Sequence, residues 1–594
     1  MKRTIINIKQ TLMILAAGII CLSCSDEFLE RPPQGSISEE ELASPDGVEG
    51  LLIGAYKMTT GYGLEGQSSW NGAVDNWVYG GVTSDDAYKG TDAGDQPEQS
   101  FLERYDFQPT NNHLKNKWRA LYKGIARTND VLNTLKNVEA GISDARRQQI
   151  VAEARFLRGF FHFEARKMWR KVPYISDEVF DINDLESSKV PNDKEIWPDI
   201  EGDLKAAMDM LPDQQTQVGR PTKWAAMAFL AKACMYQGWD EATGTANTAK
   251  LQQAKALLEE IVASGKFELT EKFEENFLVG TRNNVESIFE IQYNISGANQ
   301  QASNETTTLN YPYTDPWGCC GFYQPSQNLV NAYKTDENGL PLLETFNEED
   351  VTNDQGIAWN ADFTPYQGPL DPRLDHTVGR RGILHKGFKI HGSDFIRDQN
   401  YAGPYSPKKH LAEPQFFGIG ANPRLSANNY RIMRYSMVLL WLAECEVEIG
   451  SLERARELVN MIRERAANPN GFVPKAIQGA ERNDFSIVEG EAAANYVIAT
   501  YNEPWVDKEM ARKAVRMETR LEFAMEGHRF FDLQRWGIAA EVLNEYLEVE
   551  KTKRSYLKDA SFTKGKNEYY PIPLEAIERS YLNGTPTLTQ DPAY

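Results

Sequence analysis

The chain has 594 residues, and its 64 lysines and arginines stand against 85 aspartates and glutamates for a formal charge of −21. No run of Lys and Arg forms a stripe, and neutralising phosphates requires clustered basic residues, so nucleic acid is set aside as a ligand. A chain of this length buries a self-sufficient core, and its six cysteines show no zinc-ligand spacing.

From Met1 the chain carries Lys2, Arg3 and Lys9, then runs uncharged from Thr11 to Leu22. That is the pattern of a secretory signal peptide, and an apolar core of about a dozen residues falls short of the roughly 20 that span a bilayer. Leu22-Ser23-Cys24 puts a small residue before a cysteine at the end of this run. It resembles a bacterial lipobox, although Cys21 stands where an aliphatic residue is usual. The expectation is a leader over 1–23 that is removed, and Cys24 as the lipidated first residue of a tethered chain. The acidic patch Ser25-Asp26-Glu27 then fits display on the outer face of the outer membrane.

Helical periodicity comes in blocks. A first pair covers about Asn116 to Leu135 and, after Ser143-Asp144, the run to Trp169 with Ile150, Ala154, Leu157, Phe161, Ala165 and Met168 on one face. A further helix is predicted from about Glu195 to Leu211. Two segments look like tetratricopeptide-type helix pairs: Leu230-Ala231 and Gly238 with Ala254 and Leu258, then Ala443, Gly450, Ala455 and Val459, where small residues allow close approach and Gly closes the first helix. The predicted fold class is mainly α, a tetratricopeptide-repeat-like scaffold of about four helix pairs over 115–170, 193–270 and 427–467, joined to a loop-rich, irregular ligand-binding half. Between 290 and 425, and again over 70–100, aromatic residues mix with Gly, Pro, Asn and Asp. Loops that long are usually functional. Cys234 and Cys445 fall inside helical patterns and read as small buried hydrophobes.

Several blocks together resemble the SusD/RagB family of outer-membrane nutrient-binding lipoproteins: the start at Cys24-Ser-Asp-Glu-Phe-Leu-Glu-Arg-Pro-Pro33, Ala152-Glu-Ala-Arg-Phe-Leu-Arg-Gly-Phe-Phe161 followed by Val172-Pro173, and Arg434-Tyr-Ser-Met-Val-Leu-Leu-Trp-Leu-Ala-Glu-Cys445. Glu526-Gly-His-Arg-Phe-Phe-Asp-Leu-Gln-Arg-Trp-Gly537 and the tail from Pro571-Ile-Pro573 through Thr587-Leu-Thr-Gln-Asp-Pro-Ala-Tyr594 complete the order. The resemblance implies one SusD-like domain over 24–594. It also implies a TonB-dependent, SusC-like barrel as partner, over which the lipoprotein acts as a hinged lid that delivers oligosaccharide or polysaccharide. Some members of the family look like peptide receptors, and no enzymatic step is expected.

A sugar presents C–H faces for aromatic stacking and hydroxyls for Asp, Asn, Arg or Gln. The first candidate segment therefore supplies Asp75, Trp77, Asp85, Asp86 and Tyr88. Core anchoring of the rings and turn or cap bonds for the Asp pair compete with that reading. The second supplies Trp317 and Cys320. Cys319 and Cys320 are expected as thiols, since vicinal bridges are uncommon, although the expected compartment permits disulfides. The third supplies Arg373 within Asp371-Pro-Arg-Leu-Asp375, whose planar fork suits two hydroxyls, with a structural Arg–Asp network as its rival. No cofactor is expected, and calcium at Asp92-Ala-Gly-Asp95 is a weak option because the spacing does not match an EF-hand. Gly527-His528-Arg529 and Arg535-Trp536 read as fold-forming. A glycoside hydrolase would instead need two carboxyls roughly 5 to 9.5 Å apart.

Overall fold

The computed structural model describes residues 39–61, 69–72, 74–295, 302–416 and 422–594. The expected leader and Cys24 lie outside the described residues. Capping explains where the longer helices begin. In α1 (Pro45–Lys57), α2 (Asn112–Lys136) and α3 (Asp144–Trp169), the side chains of Ser44, Asn111 and Ser143 accept first-turn N–H groups. α4 (Trp197–Met210) starts with Pro in its first turn. Thr222 caps α5 (Lys223–Met235) and Asn247 caps α6 (Thr248–Ala263). Further on come α7 (Tyr435–Ile449), which ends at Gly450 as expected, α8 (Leu452–Ala466), α9 (Lys508–Phe523) and α10 (Ala539–Lys553).

Each helix from α1 to α7 packs on the next, and α7 packs on both α8 and α9. This is the helical, tetratricopeptide-like scaffold that the periodicity predicts. α3 differs in one respect, because it is buried on nearly all sides rather than on one face. Its position between α2 and α4 forces this, and its polar residues find internal partners. Arg158 donates to both oxygens of Asp203 at 2.7 and 2.8 Å, and Lys167 lies 2.8 Å from Glu164. Cys234 and Cys445 are free and buried.

The scaffold is continuous in space but not in sequence, since α6 packs on α7 across the long stretch between them. That stretch is the irregular half. Among its short strands, β2 (Ser287–Ile291), β3 (Phe322–Pro325) and β4 (Tyr430–Arg434) position the rest, together with β1 (Ala87–Gly90), which comes from the segment before α2. β2 pairs antiparallel with β4, placing Ile291 opposite Tyr430, so the two ends of the insertion are stitched together where it leaves the helices. β1 pairs with β3, with Tyr88 opposite Gln324.

A buried ionic network lies behind this neck. Arg434 reaches Glu286 at 2.9 Å, Glu522 at 2.5 Å and Glu526 at 2.8 Å. Arg465 reaches Glu286 at 3.1 Å and Glu522 at 2.5 Å. Arg373 contacts Asp371, Glu518 and Glu522 at 2.7, 2.7 and 3.1 Å. Arg463 holds Glu518 at 2.9 Å and Lys409 holds Glu526 at 2.7 Å. Burial alone would raise Glu522 and Glu526, yet the cations outweigh it: Glu526 is held at about 2, and Glu522 is driven lower. Insertion and helices are thereby bound into one body.

Candidate functional site

The segment over 75–90, a helical turn at Trp77–Val82 leading into β1, faces inward. Trp77 retains 2% of its surface, its ring wedged 5.6 Å from Tyr323 and 6.3 Å from Phe322. Asp75 is buried beside it, and loss of water pushes its carboxyl up to about 6. Asp85 receives Arg529 as a two-pronged fork at 2.8 and 2.9 Å, with Arg520 at 3.1 Å. Asp86 takes Arg520 Nε at 3.0 Å. Tyr88 is fully buried and donates its hydroxyl to Glu550.

The reason for this burial is a close crossing of two loops. A Cβ on Gly80 would stand 1.9 Å from the Gly527 carbonyl oxygen, and one on Gly527, where φ is +75°, would stand 2.1 Å from the Asp75 carbonyl oxygen. Only glycine fits both positions. The fold-forming reading of Gly527-His528-Arg529 is explained by this contact and by the Arg529–Asp85 fork.

The other candidates are also interior. Trp317 centres a small cluster with Tyr311, Phe395, Ile396 and Leu411. Arg373 belongs to the neck network, so the structural Arg–Asp reading describes it. Cys319 and Cys320 are joined to each other, which corrects the expectation of thiols; the loop holds their Cα atoms 3.0 Å apart, and Arg424 Nη1 lies 3.1 Å from the Cys320 sulfur. Asp75, Trp77, Asp85, Asp86, Tyr88, Trp317, Cys320 and Arg373 thus keep little or no surface of their own. The physical reason is shared: an insertion with few strands must satisfy its backbone and fill its interior with large rings and paired charges. The Asp92–Asp95 turn is likewise engaged from within. Lys89 Nζ donates to the carbonyl oxygens of Asp92 and Asp95 at 2.7 Å each, so an ammonium sits against the backbone of this turn.

Among the described residues of this half, two aromatic rings are well exposed, Tyr313 at 41% and Trp359 at 37%. Each is backed by a guanidinium. Arg397 lies 5.5 Å from the Tyr313 ring centre, and is held by Asp92 at 2.8 Å, Asp95 at 3.0 Å and the Thr91 hydroxyl at 3.0 Å. Arg482 lies 4.8 Å from the Trp359 ring centre and is held by both oxygens of Asp394, at 2.5 and 3.0 Å. Asp394 also takes Lys389 at 3.1 Å. Burial opposes ionisation of Asp394, but these cations overcome it and keep the carboxyl below its ordinary range.

The two ring-and-arginine units belong to one face. Tyr313 N–H donates to Phe395 O at 2.8 Å, Arg482 also lies 5.7 Å from the Phe395 ring, and Gly392 passes against the base of Trp359. Loops around 91–95, 311–320, 359, 391–397 and 482 therefore converge. Half-exposed rings held by stacked cations lose little freedom on binding, and Asp92, Asp95, Asp394, Arg397 and Arg482 remain partly exposed beside them, able to exchange hydrogen bonds with hydroxyls. Tyr313 lies in a loop that its aromatic composition marks. Trp359, Arg397 and Arg482 carry no motif, and only the folded chain gathers them.

Residues 285–594 match the model of the SusD family, and residues 27–235 match the model described as starch-binding associating with outer membrane. The chain belongs to the SusD family. It is 23% identical over 339 residues to a SusD-like protein of Bacteroides ovatus, covering 55% of this chain and 58% of that protein. It is also 23% identical over 546 residues to SusD-like protein P38 of Formosa agariphila, covering 90% and 93%. Surface glycan-binding protein A of Bacteroides thetaiotaomicron, solved in complex with laminarihexaose, shares the fold at a TM-score of 0.62 and 21% identity, covering 93% of this SusD-family chain and all of that one. Among the described residues no helix is long and apolar enough to cross a membrane.

Proposed function

We propose that this SusD-family chain is a cell-surface glycan-binding lipoprotein, anchored through Cys24, that captures oligosaccharide or polysaccharide and passes it, as a hinged lid, to a TonB-dependent SusC-like barrel. The observation that carries the reading is the face of Tyr313 and Trp359, two exposed rings fixed by arginines and flanked by carboxylates. An open face of this kind suits a polymer, whose sugar rings stack at intervals while hydroxyls bond at the edges. The name of the laminarihexaose-bound relative supports a glucan as the first ligand to try. Trp77, Trp317, the Cys319–Cys320 bridge and the paired Asp85, Asp86 and Arg373 then act from behind, holding the loops that present the face. No chemistry on the glycan is part of the proposal.

Calorimetric titration of the mature protein with laminarihexaose and a panel of other soluble glycans tests it. Binding of at least one glycan that weakens about tenfold or more in Trp359→Ala and Tyr313→Ala, with no new reducing ends released, is the expected outcome. Each ring removed forfeits roughly 1 to 2 kcal/mol of stacking, which sets that scale. Affinity for peptides alone, or sustained release of reducing ends, overturns the reading.

A further inference from the structure

α2 presents a stripe at Lys115, Trp118, Arg119, Tyr122, Lys123 and Ala126, the spacing of one helix face. This stripe is only partly covered by its neighbours. It forms one wall of a cavity of about 610 Å³, whose other walls come from the segment after Pro173 and from the C-terminal stretch between Pro573 and Leu588. None of these elements carries Tyr313 or Trp359.

The cavity has two chemically distinct parts. Its floor is apolar and rigid: Trp118 and Tyr122 stack at 4.5 Å, Trp118 abuts Trp169 edge-on at 5.0 Å, and Ile175, Phe180 and Leu588 complete it. The Tyr122 hydroxyl is tied to the Pro173 carbonyl oxygen at 3.0 Å, which fixes that ring. Its rim is cationic, with Lys115, Arg119, Lys123, Lys189 and Arg579 against one lining carboxylate, Glu575, and a second carboxylate behind the rim, Glu186, which pairs with Lys189 at 2.8 Å. Glu575 is shared by Arg119, by Arg579 at 2.7 Å and by Lys115 at 4.0 Å. A positive surplus in one hollow of a chain with net charge −21 is a local reversal of sign, and a half-open hollow of this size with an apolar floor has the form of a small-molecule site.

We infer that this cavity binds a small amphipathic organic anion, with its apolar body on Trp118 and Tyr122 and its carboxylate or equivalent on the Arg119 and Lys189 side of the rim. Charge complementarity selects an anion, and the floor of Trp118, Tyr122, Ile175, Phe180 and Leu588 suits a ligand with an apolar body. The site is independent of the glycan face, so either stands if the other fails.

Calorimetry of the mature protein with octanoate, with neutral 1-octanol as comparator, tests the inference. The expected result is saturable one-to-one binding of octanoate, at least about tenfold tighter than 1-octanol, and lost by about tenfold in Ala126→Phe, which fills the hollow, and in Arg119→Gln, which thins the rim. Both variants should keep the melting temperature and whatever glycan affinity the parent shows. Should Ala126→Phe fail to fold, Arg119→Gln and Lys189→Gln decide alone, since both side chains are partly exposed. No saturable octanoate binding, equal binding of 1-octanol, binding unchanged in the rim variants, or binding only of an acidic aromatic peptide such as Asp-Phe-Asp-Leu overturns it.

Discussion

Replacing Glu522 by Gln should destabilise the protein by about 3 to 5 kcal/mol. Glu522 is fully buried and serves three arginines: Arg434 and Arg465 at 2.5 Å each, and Arg373 at 3.1 Å. The network around it is balanced, with Arg373, Arg434, Arg463, Arg465 and Lys409 facing Asp371, Glu286, Glu518, Glu522 and Glu526. The amide preserves shape and removes one charge, leaving a buried cation uncompensated, which is the costly way to break an ion pair. Urea unfolding followed by both tryptophan fluorescence and circular dichroism gives the difference, provided the two signals coincide. Adding Arg465→Met restores the balance of charge, so the double variant should lose less than the two single variants combined, by at least about 1 kcal/mol. A loss below about 1 kcal/mol for Glu522→Gln, or plain additivity, would refute the view that neutrality of this network joins the insertion to the helices.

Gly527→Ala should cost more than about 2 kcal/mol, or prevent folding, because its Cβ would meet the Asp75 carbonyl oxygen at a backbone conformation that favours glycine; a melting temperature within error of the parent would contradict the loop crossing. Acid should destabilise in two stages. His162, His391, His410 and His528 are kept neutral by burial, each held at about 3, so the unfolded chain takes up protons first as pH falls below about 6.5 and stability drops between pH 7 and 5. Glu526, held at about 2 by Arg434 and Lys409 against its burial, adds a second loss from about pH 4.5 downward, worth about 3 kcal/mol when complete; an unchanged urea midpoint from pH 7 to 5 would contradict the first stage. Arg397→Ala should weaken glycan binding less than Tyr313→Ala does, because it loosens the ring without removing it, and the same calorimetric titration reads both.

Helix α3 shows how much of the fold was legible. Ser143 as a cap, the apolar spacing from Ile150 to Met168 and Pro173 beyond it bracket the helix to within a residue at each end. Its burial on all sides was not legible, since that depends on α2 and α4 flanking it. The candidate site fared differently. Trp77, Trp317 and Arg373 are of the residue types a glycan site uses, but rings and paired charges serve an irregular interior equally well, and composition does not distinguish the two uses. The partners that internalise Asp85 and Asp86 lie 434 to 444 residues away in the chain, beyond any spacing rule. Trp359 stands in a polar loop without periodicity, and its place beside Arg482 and Asp394 follows only from the packing of separate loops.

What the sequence by itself determined is the scaffold and the family, because caps, helical periodicity and short blocks act over neighbouring residues and survive in one dimension. What only the tertiary structure decided is which side of the surface each aromatic and each charge occupies. A ring's exposure is set by contacts between segments far apart in the chain, so Trp77 became a buried wedge and Trp359 an exposed ring although both are the same residue.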